Sequence, residues 1–205
     1  MEVPPNFTLD IQQRIREVLR AEAAAIASVS VTDDFERAVI ALRDCRGKVL
    51  ATGMGKAGHV ARKFASTLCS TGTPASWLHP GEAAHGDLGL VGPEDCIVAF
   101  STSGKTREVL EMLRLGRQIG LRTVIGVTSH PDSELRTLSD IVLDMGRIEE
   151  PCPHGLTPTA SIAAMLAIGD SIALTLMELK GFSKQDFGLR HHGGYLGHLA
   201  RVEAE

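Results

Sequence analysis

The stretch Cys96–Thr106, CIVAFSTSGKT, joins a continuous apolar run to a hydroxyl-rich turn. A short apolar run of this kind is typical of a strand that is buried on both faces of a parallel sheet. Beyond Thr106, apolar residues recur with helical spacing through Leu110, Leu113 and Ile119. The stretch therefore predicts a strand, a tight turn and the start of a helix.

The turn after this strand, residues 101–106, has the composition of an anion-binding site. The first N–H groups of a helix have no intrahelical partner and carry the positive end of the helix dipole. Four of the six residues are Ser or Thr, Gly104 allows the backbone to approach a ligand closely, and Lys105 adds a cation. Helix capping is the simpler explanation, but a cap needs only one hydroxyl. We therefore expect a phosphate group at this turn.

Strand and helix patterns alternate along most of the chain. Further strands are expected at residues 47–52, 75–78, 122–128 and 141–143, and helices at 8–29, 33–45, 106–119 and 133–139. This alternation predicts an α/β fold: a three-layer α/β/α sandwich around a five-stranded, mainly parallel sheet. We expect a single domain over residues 1–205, with N-terminal helices at about 8–45 and the α/β core at about 46–205.

Composition and charge argue against several classes of function. The net charge is −4, with one Trp and one Tyr, so nothing points to nucleic acid as a partner. Four widely spaced cysteines and an N-terminus without a signal-peptide pattern favour a cytoplasmic protein. The apolar stretch 160–177 contains Asp170, so we expect a helix buried in the core or in a subunit interface and no membrane partner.

A glycine loop, residues 53–58, matches the GxGxxG pattern of dinucleotide-binding sites. It lies between the predicted strand at 47–52 and a helix that the spacing of Val60, Phe64 and Leu68 predicts. A dinucleotide site also needs an acidic residue after the next strand, and residues 75–79 offer none. The loop therefore fits a smaller anionic ligand, which the backbone and Lys56 would approach. A plain glycine turn with a solvated lysine is the alternative.

A third loop, residues 79–87, brings two imidazoles and two carboxylates to the end of another predicted strand. Parallel sheets bind ligands beyond the carboxyl ends of their strands. We therefore expect these three loops to surround one ligand.

Four motifs together resemble the sugar isomerase (SIS) domain family, and most of all its arabinose-5-phosphate isomerases. They are GMGKAGH (53–59), HPGEAAHGDLG (79–89), STSG (101–104) and GGYLG (193–197). The resemblance runs from about residue 8 to the C-terminus and implies a flavodoxin-like SIS fold. Larger members continue into a pair of regulatory CBS modules, so this chain resembles a stand-alone catalytic form.

The resemblance implies a cofactor-free interconversion of ribulose 5-phosphate and arabinose 5-phosphate through an enediol. It also implies a homotetramer in which neighbouring subunits complete each site. The positions that match the family's catalytic or substrate-contacting residues are Lys56, His85, Glu150 and His191. The family's phosphate loop corresponds to Ser101, Ser103 and Thr106. We add Lys105 from the same turn, and Gly55 and Lys56 from the glycine loop, as expected phosphate-binding residues.

Each candidate has a simpler reading. Lys56 could be a surface lysine, His85 a structural histidine bonded to Asp87, and Glu150 a solvated carboxylate. The histidines could also suggest zinc, but their spacing lacks the helical pattern of a zinc motif, so no metal is expected.

Two departures from the family pattern bear on the substrate. Lys105 stands where the family usually has Glu, which leads us to expect a substrate more anionic than a simple pentose phosphate. The family's usual His-Pro-Gly-Gly is His191-His192-Gly193-Gly194 in this chain, so either histidine could be the functional one. We favour His191, because aligning Gly193-Gly194 with the family's two glycines places His191 at the family's histidine.

Three other functions remain open at this point. A hexulose-phosphate isomerase would use the same parts. A non-catalytic sugar-phosphate-binding domain would need the phosphate loop alone. A nucleotide-dependent oxidoreductase would need the ribose-binding acid that residues 75–79 lack.

Overall fold

The computed structural model describes residues 9–202, with side chains described for residues 9–200. The strands are β1 (Val49–Gly53), β2 (Ala75–Trp77), β3 (Cys96–Phe100), β4 (Thr123–Thr128) and β5 (Ile141–Asp144). The helices are α1 (Ile11–Ala27), α2 (Asp33–Arg43), α3 (Gly55–Ser70), α4 (Pro80–Ala83), α5 (Arg107–Gln118), α6 (Glu134–Leu138), α7 (Ala160–Leu179), α8 (Lys184–Arg190) and α9 (Gly194–Val202). A turn of 3-10 helix, Asp87–Leu90, follows α4.

The strands form one sheet in the order β2-β1-β3-β4-β5, and every neighbouring pair is parallel. The predicted five-stranded parallel sheet is therefore confirmed. Gly53 at the end of β1 lies opposite Phe100 at the end of β3. Because all strands run in one direction, the loops that follow them leave from the same side of the sheet, which we call the carboxyl edge.

Helices cover both faces of the sheet, as a three-layer sandwich requires. On one face, α1, α2, α3 and α7 close a core that includes Phe64 and Phe100, whose rings meet edge to face at 5.6 Å. On the other face, α4, α5 and α6 close a second core around Ile97 and Leu113. Every residue of β1 and β3 is buried, as their continuous apolar pattern predicts.

The predicted apolar helix is α7, which extends to Leu179 and packs against α1, α2 and α3. Small residues allow a close approach: a β-carbon on Gly169 would lie 3.3 Å from the Phe64 ring. Within residues 9–202, α7 is the one helix long and apolar enough to cross a membrane, with a mean hydropathy of 1.8. Half of its apolar window is buried inside the protein, as expected for a core helix.

The N-terminal helices begin and end close to the predicted positions. Asp10 caps α1 by accepting a hydrogen bond of 2.9 Å from the backbone N–H of Gln13. The large apolar residues Ile11, Ile15 and Leu19 are exposed, so this helix presents an apolar stripe to the outside. Residues 1–8, which carry the argument about a signal peptide, lie outside the described range.

The sequence analysis did not predict α4, α8 or α9, because they are too short for an apolar period to be recognised. A local signal for α8 was present: Ser183 and Asp186 form a capping box, in which each side chain accepts a hydrogen bond from the other's backbone N–H. The spacing of apolar residues also gives no indication that α9 packs closely on α8. A β-carbon on Gly197 would overlap the carbonyl group of His191.

Close packing explains the outer glycines of the 53–58 loop. A β-carbon on Gly58 would lie 2.7 Å from the carbonyl oxygen of Gly53, and one on Gly53 would lie 2.9 Å from that of Phe100. Gly55 has φ +56°, a left-handed conformation that favours glycine. The glycines therefore let α3 start directly against β1, whether or not they also approach a ligand.

Gly58→Ala should destabilise the protein by about 1–3 kcal/mol, because the added methyl group must displace backbone atoms. Urea denaturation of the variant measures this change. Gly89→Ala is the control, since nothing lies within 4 Å of the β-carbon it would add, and its effect should stay within about 0.5 kcal/mol. Equal losses in the two variants would contradict the close-packing explanation.

Candidate active site

The carboxyl edge brings together the loops that the sequence singled out. The strand order changes direction between β1 and β3, and ligands bind at such topological switch points in open parallel sheets. Gly55 and Lys56 follow β1, and Ser101 follows β3 directly. Because Gly53 and Phe100 are paired, the two loops lie side by side.

The phosphate loop, residues 101–106, is organised by its own hydroxyl groups. Ser101 is buried, and its Oγ accepts a 3.1 Å hydrogen bond from the backbone N–H of Gly104 and lies 2.9 Å from Oγ1 of Thr106. Ser103 Oγ accepts a 3.2 Å hydrogen bond from the backbone N–H of Lys105. These bonds hold a turn in which Gly104 has φ +59°. Ser103 and Lys105 remain exposed to a ligand.

Helix α5 begins immediately after this loop without a side-chain cap. Thr106 occupies the N-cap position, but its hydroxyl contacts Ser101 and makes no capping hydrogen bond. The simple capping explanation for the hydroxyls therefore does not describe this turn. The start of α5 offers backbone N–H groups and a positive dipole end to an anion.

Two lysines flank the switch point. Lys56 lies in the first turn of α3 and Lys105 lies in the phosphate loop, and both are exposed. No ion pair is recorded for either lysine across the described residues. Both charges are therefore available to a phosphate or to a charge that develops during a reaction.

The 79–89 segment reaches this region through α4, which packs against α5. His79 has a structural role: its Nδ1 accepts a 3.3 Å hydrogen bond from the backbone N–H of Glu82 and caps α4. His85 lies in the following turn with its ring exposed. No side-chain hydrogen bond is recorded for His85 among the described residues, so the alternative of a bond to Asp87 does not occur in this structure.

Glu150 is held at the start of α7. Its carboxylate accepts hydrogen bonds from the backbone N–H groups of Thr159 at 2.7 Å, Ala160 at 2.9 Å and Ser161 at 3.2 Å. Burial alone would raise the pKa of Glu150, but the hydrogen bonds from Ser161, Thr159 and Ala160 outweigh it and hold the pKa below the ordinary value. Glu150 is therefore an ionised helix cap, which is a poor proton acceptor.

Helix packing places Glu150 at the same edge as the other candidates. Phe64 meets Gly169 in the middle of α3 and α7, and Lys180 donates a 3.0 Å hydrogen bond to Thr73 just beyond the ends of these helices. The two helices therefore run parallel, and both begin at the carboxyl edge. Glu150 at the start of α7 is thus on the same side of the sheet as the start of α3.

The side-chain contacts of His191 lie within its own helix, α8. This residue ends α8, its ring stacks on Phe187 with 3.9 Å between centroids, and its Nδ1 lies 3.1 Å from the carbonyl oxygen of Phe187. Phe187 lines a groove along the outer face of α3, and Phe182 packs over Gly72 at the far end of that helix. Among the described residues, no recorded contact joins His191 to the other candidates.

The loop between β4 and α6, residues 129–133, also borders the phosphate loop, and sequence analysis missed it. Thr128 Oγ1 and the backbone N–H of Ser129 both donate to the carbonyl oxygen of Thr102, at 3.1 and 3.0 Å. A signal was available, since TSHPDS (128–133) is a hydroxyl-rich segment after a predicted strand. Over residues 9–202, no group of three His, Cys, Asp or Glu side chains could hold a metal ion.

Glu150→Gln should destabilise the protein by about 1–3 kcal/mol at neutral pH, because an amide replaces a charged acceptor of three N–H groups. The folded-state pKa of Glu150 lies below the ordinary 4.5, so the stability that its charge contributes is present above that pH. It is lost as the pH falls through the folded-state pKa. Urea denaturation from pH 7 to pH 3 should show the two proteins converging in acid, and a gap independent of pH would contradict this. Glu149→Gln, at an exposed neighbour, should change the free energy of unfolding by less than about 0.5 kcal/mol.

Comparison with known proteins finds relatives and solved structures that are similar to this chain over most of its length. The arabinose 5-phosphate isomerase KdsD of Yersinia pestis is 44% identical over 192 residues, which cover 92% of this chain and 58% of that protein. The chain thus spans less than two thirds of the length of this relative. A solved structure from Bacteroides fragilis is 42% identical, with a TM-score of 0.86, and the match covers 90% of this chain and 99% of that one. The structure of E. coli CFT073 c3406 in complex with A5P is 38% identical, with a TM-score of 0.85, and the match covers 89% of this chain and 97% of that one.

The SIS domain family matches residues 41–175, which include every strand of the sheet and the phosphate loop. The chain therefore belongs to the SIS domain family.

Proposed function

We propose that this protein is an aldose–ketose isomerase that interconverts D-ribulose 5-phosphate and D-arabinose 5-phosphate without a cofactor. The observation that carries the proposal is the phosphate loop beside Lys56 at the switch point of the sheet. The name of the Yersinia relative and the A5P complex of the E. coli protein support the choice of sugar. The partner is a small sugar phosphate, and neither nucleic acid nor a membrane is part of the proposal.

The reaction needs few groups. A base removes the proton from the carbon beside the carbonyl, an enediol forms, and the proton returns to the neighbouring carbon. We assign phosphate binding to Ser103, Lys105 and the start of α5, with Gly55, Ser101 and Thr106 shaping the two loops. Lys56 stabilises the negative charge that develops on the enediolate oxygen. Proton transfer and ring opening fall to His85 and His191.

Glu150 keeps a place in the proposed site with a restricted role. Its ionised carboxylate is engaged by three backbone N–H groups. These hydrogen bonds favour two roles for Glu150, which are holding negative charge near the sugar and positioning α7. They disfavour a role as proton acceptor. We therefore assign the proton transfer to the histidines and not to Glu150.

The proposal includes a homotetramer of single-domain chains in the cytoplasm, with active sites shared between subunits. Within the described residues no contact joins His191 to Lys56, which supports a shared site in which His191 or His85 comes from a neighbour. The apolar stripe of Ile11, Ile15 and Leu19 on α1 supports association, because monomers rarely expose such rows of large apolar side chains. Light scattering on the purified protein measures the mass of the assembly.

Proton NMR of the enzyme with ribulose 5-phosphate in D₂O tests the reaction. We expect arabinose 5-phosphate to appear with deuterium at C2, because the enediol exchanges its proton with solvent. His191→Ala should lower turnover strongly and His192→Ala only slightly, and equal losses would contradict our choice of His191. Absence of any reaction would remove the pentose assignment, and the same experiment with hexulose phosphates would then test the runner-up.

Lys105 should widen or shift the substrate range toward more anionic sugars. Its uncompensated charge lies in the phosphate loop, where it can bind a second anionic group in addition to the phosphate. Two measurements test this: kcat/KM of the parent and of Lys105→Glu on pentose and hexose phosphates, and the inhibition constant of an aldonate phosphate, whose carboxylate replaces the carbonyl so that it binds without being isomerised. We expect the variant to lose the most affinity, about tenfold or more, for the aldonate phosphate, and an unchanged profile would discard the idea.

A further inference from the structure

Ser133 carries a buried hydroxyl group that nothing in the fold uses. The residue is 5% exposed, and its Oγ has no hydrogen-bond partner among the described residues. It occupies the N-cap position of α6, where a serine normally accepts a hydrogen bond from the helix, yet it makes no such bond. Buried polar groups without partners are rare in folded proteins and call for an explanation.

The side chain of Ser133 lies against the phosphate loop. A β-carbon on Gly104 would overlap both Cβ and Oγ of Ser133 and would lie 2.9 Å from Oγ1 of Thr128. The hydroxyls of Ser133 and Thr128 thus converge on the underside of the left-handed residue of the loop. Gly104 is needed there for its φ of +59° and for the absence of a side chain.

The neighbouring backbone holds the same side of the loop. The N–H of Ser129 and Oγ1 of Thr128 bind the carbonyl oxygen of Thr102, and the N–H of Leu135 donates a 3.1 Å hydrogen bond to the carbonyl oxygen of Gly104. These contacts engage the carbonyl groups of the loop from below. The segment after β4 therefore acts as a support on which the turn rests.

We propose that Ser133 is a positioning residue for the phosphate loop: its side chain holds Gly104 from below, and its unpartnered hydroxyl hydrogen-bonds the loop once an anion is bound. The proposal rests on the assignment of residues 101–106 as the phosphate-binding loop. It does not depend on which sugar is the substrate, nor on whether the protein catalyses a reaction. A ligand-dependent partner explains why the fold retains a hydroxyl that is unsatisfied without ligand.

Ser133→Ala separates this role from plain packing. The variant removes an unpartnered buried hydroxyl, so its thermal midpoint should be unchanged or higher. If Ser133 positions the loop, calorimetric titration with inorganic phosphate should give a dissociation constant about tenfold higher than that of the parent protein. In turnover assays, KM should rise while kcat stays within about twofold, because the lost interaction is with the phosphate and not with the reacting carbons.

Ser139→Ala is the matched control, at the other end of α6. Its hydroxyl donates a 2.7 Å hydrogen bond to the carbonyl oxygen of Leu135, so the variant should lower the thermal midpoint and leave phosphate binding unchanged. Phosphate affinity of Ser133→Ala within twofold of the parent would overturn the proposal. So would a parent protein that does not bind inorganic phosphate. Normal phosphate binding without turnover of any sugar would instead overturn the isomerase and leave this proposal standing.

A second pair of variants tests the contact between Ser133 and Gly104. Gly104→Ala should weaken phosphate binding, because its methyl group meets Ser133 and the backbone is strained. Ser133→Gly in the same chain removes the contact with Ser133, so the double variant should lose less affinity than the sum of the losses in Gly104→Ala and Ser133→Gly. Strictly additive losses would show that the two residues do not act on each other and would overturn the packing half of the proposal.

Discussion

The pairing of β1 with β3 is the constraint on which the candidate site depends. With Gly53 opposite Phe100, the first residues of two loops leave the sheet next to each other. Parallel strands lie about 4.8 Å apart, so loops that follow neighbouring strands can contact the same small ligand. The glycines at 53 and 58 keep this arrangement, because they let α3 begin directly against β1. The side chains of these loops then determine which ligand binds.

The sheet and the phosphate loop were predictable because their signals are local. Strand β3 was predicted with its exact bounds, since five apolar residues end at a polar turn. The start of α1 followed from Asp10 as its cap. The position of Ser101, Ser103 and Lys105 at the carboxyl edge followed from the strand that precedes them. In each case neighbouring residues in the sequence determine the outcome.

The missed features depend on residues that are distant in sequence. The hydrogen bonds of Glu150 come from residues 159–161, and an acidic residue near a Pro-rich segment gives no indication of them. The support of Gly104 by Ser133 joins two loops across β4. The placement of Phe187 in the groove along α3 follows from how α8 packs on that helix, for which the short α8 carries no periodic signal. Tertiary packing decides these positions, so sequence patterns could supply only the candidate residues.

Glu150 also affects how the molecule attracts a negatively charged ligand from a distance. Helices α3, α5 and α7 follow strands of the sheet, and the ionised carboxylate of Glu150 compensates the positive end of α7. The first turn of α3, which holds Lys56, contains no acidic residue, and Lys105 lies just before α5. In a chain of net charge −4, the overall charge repels an incoming anion, whereas Lys56 and Lys105 attract it near the switch point. The field therefore guides diffusional encounter toward the switch point, and capture of a phosphate becomes slower as added salt screens it.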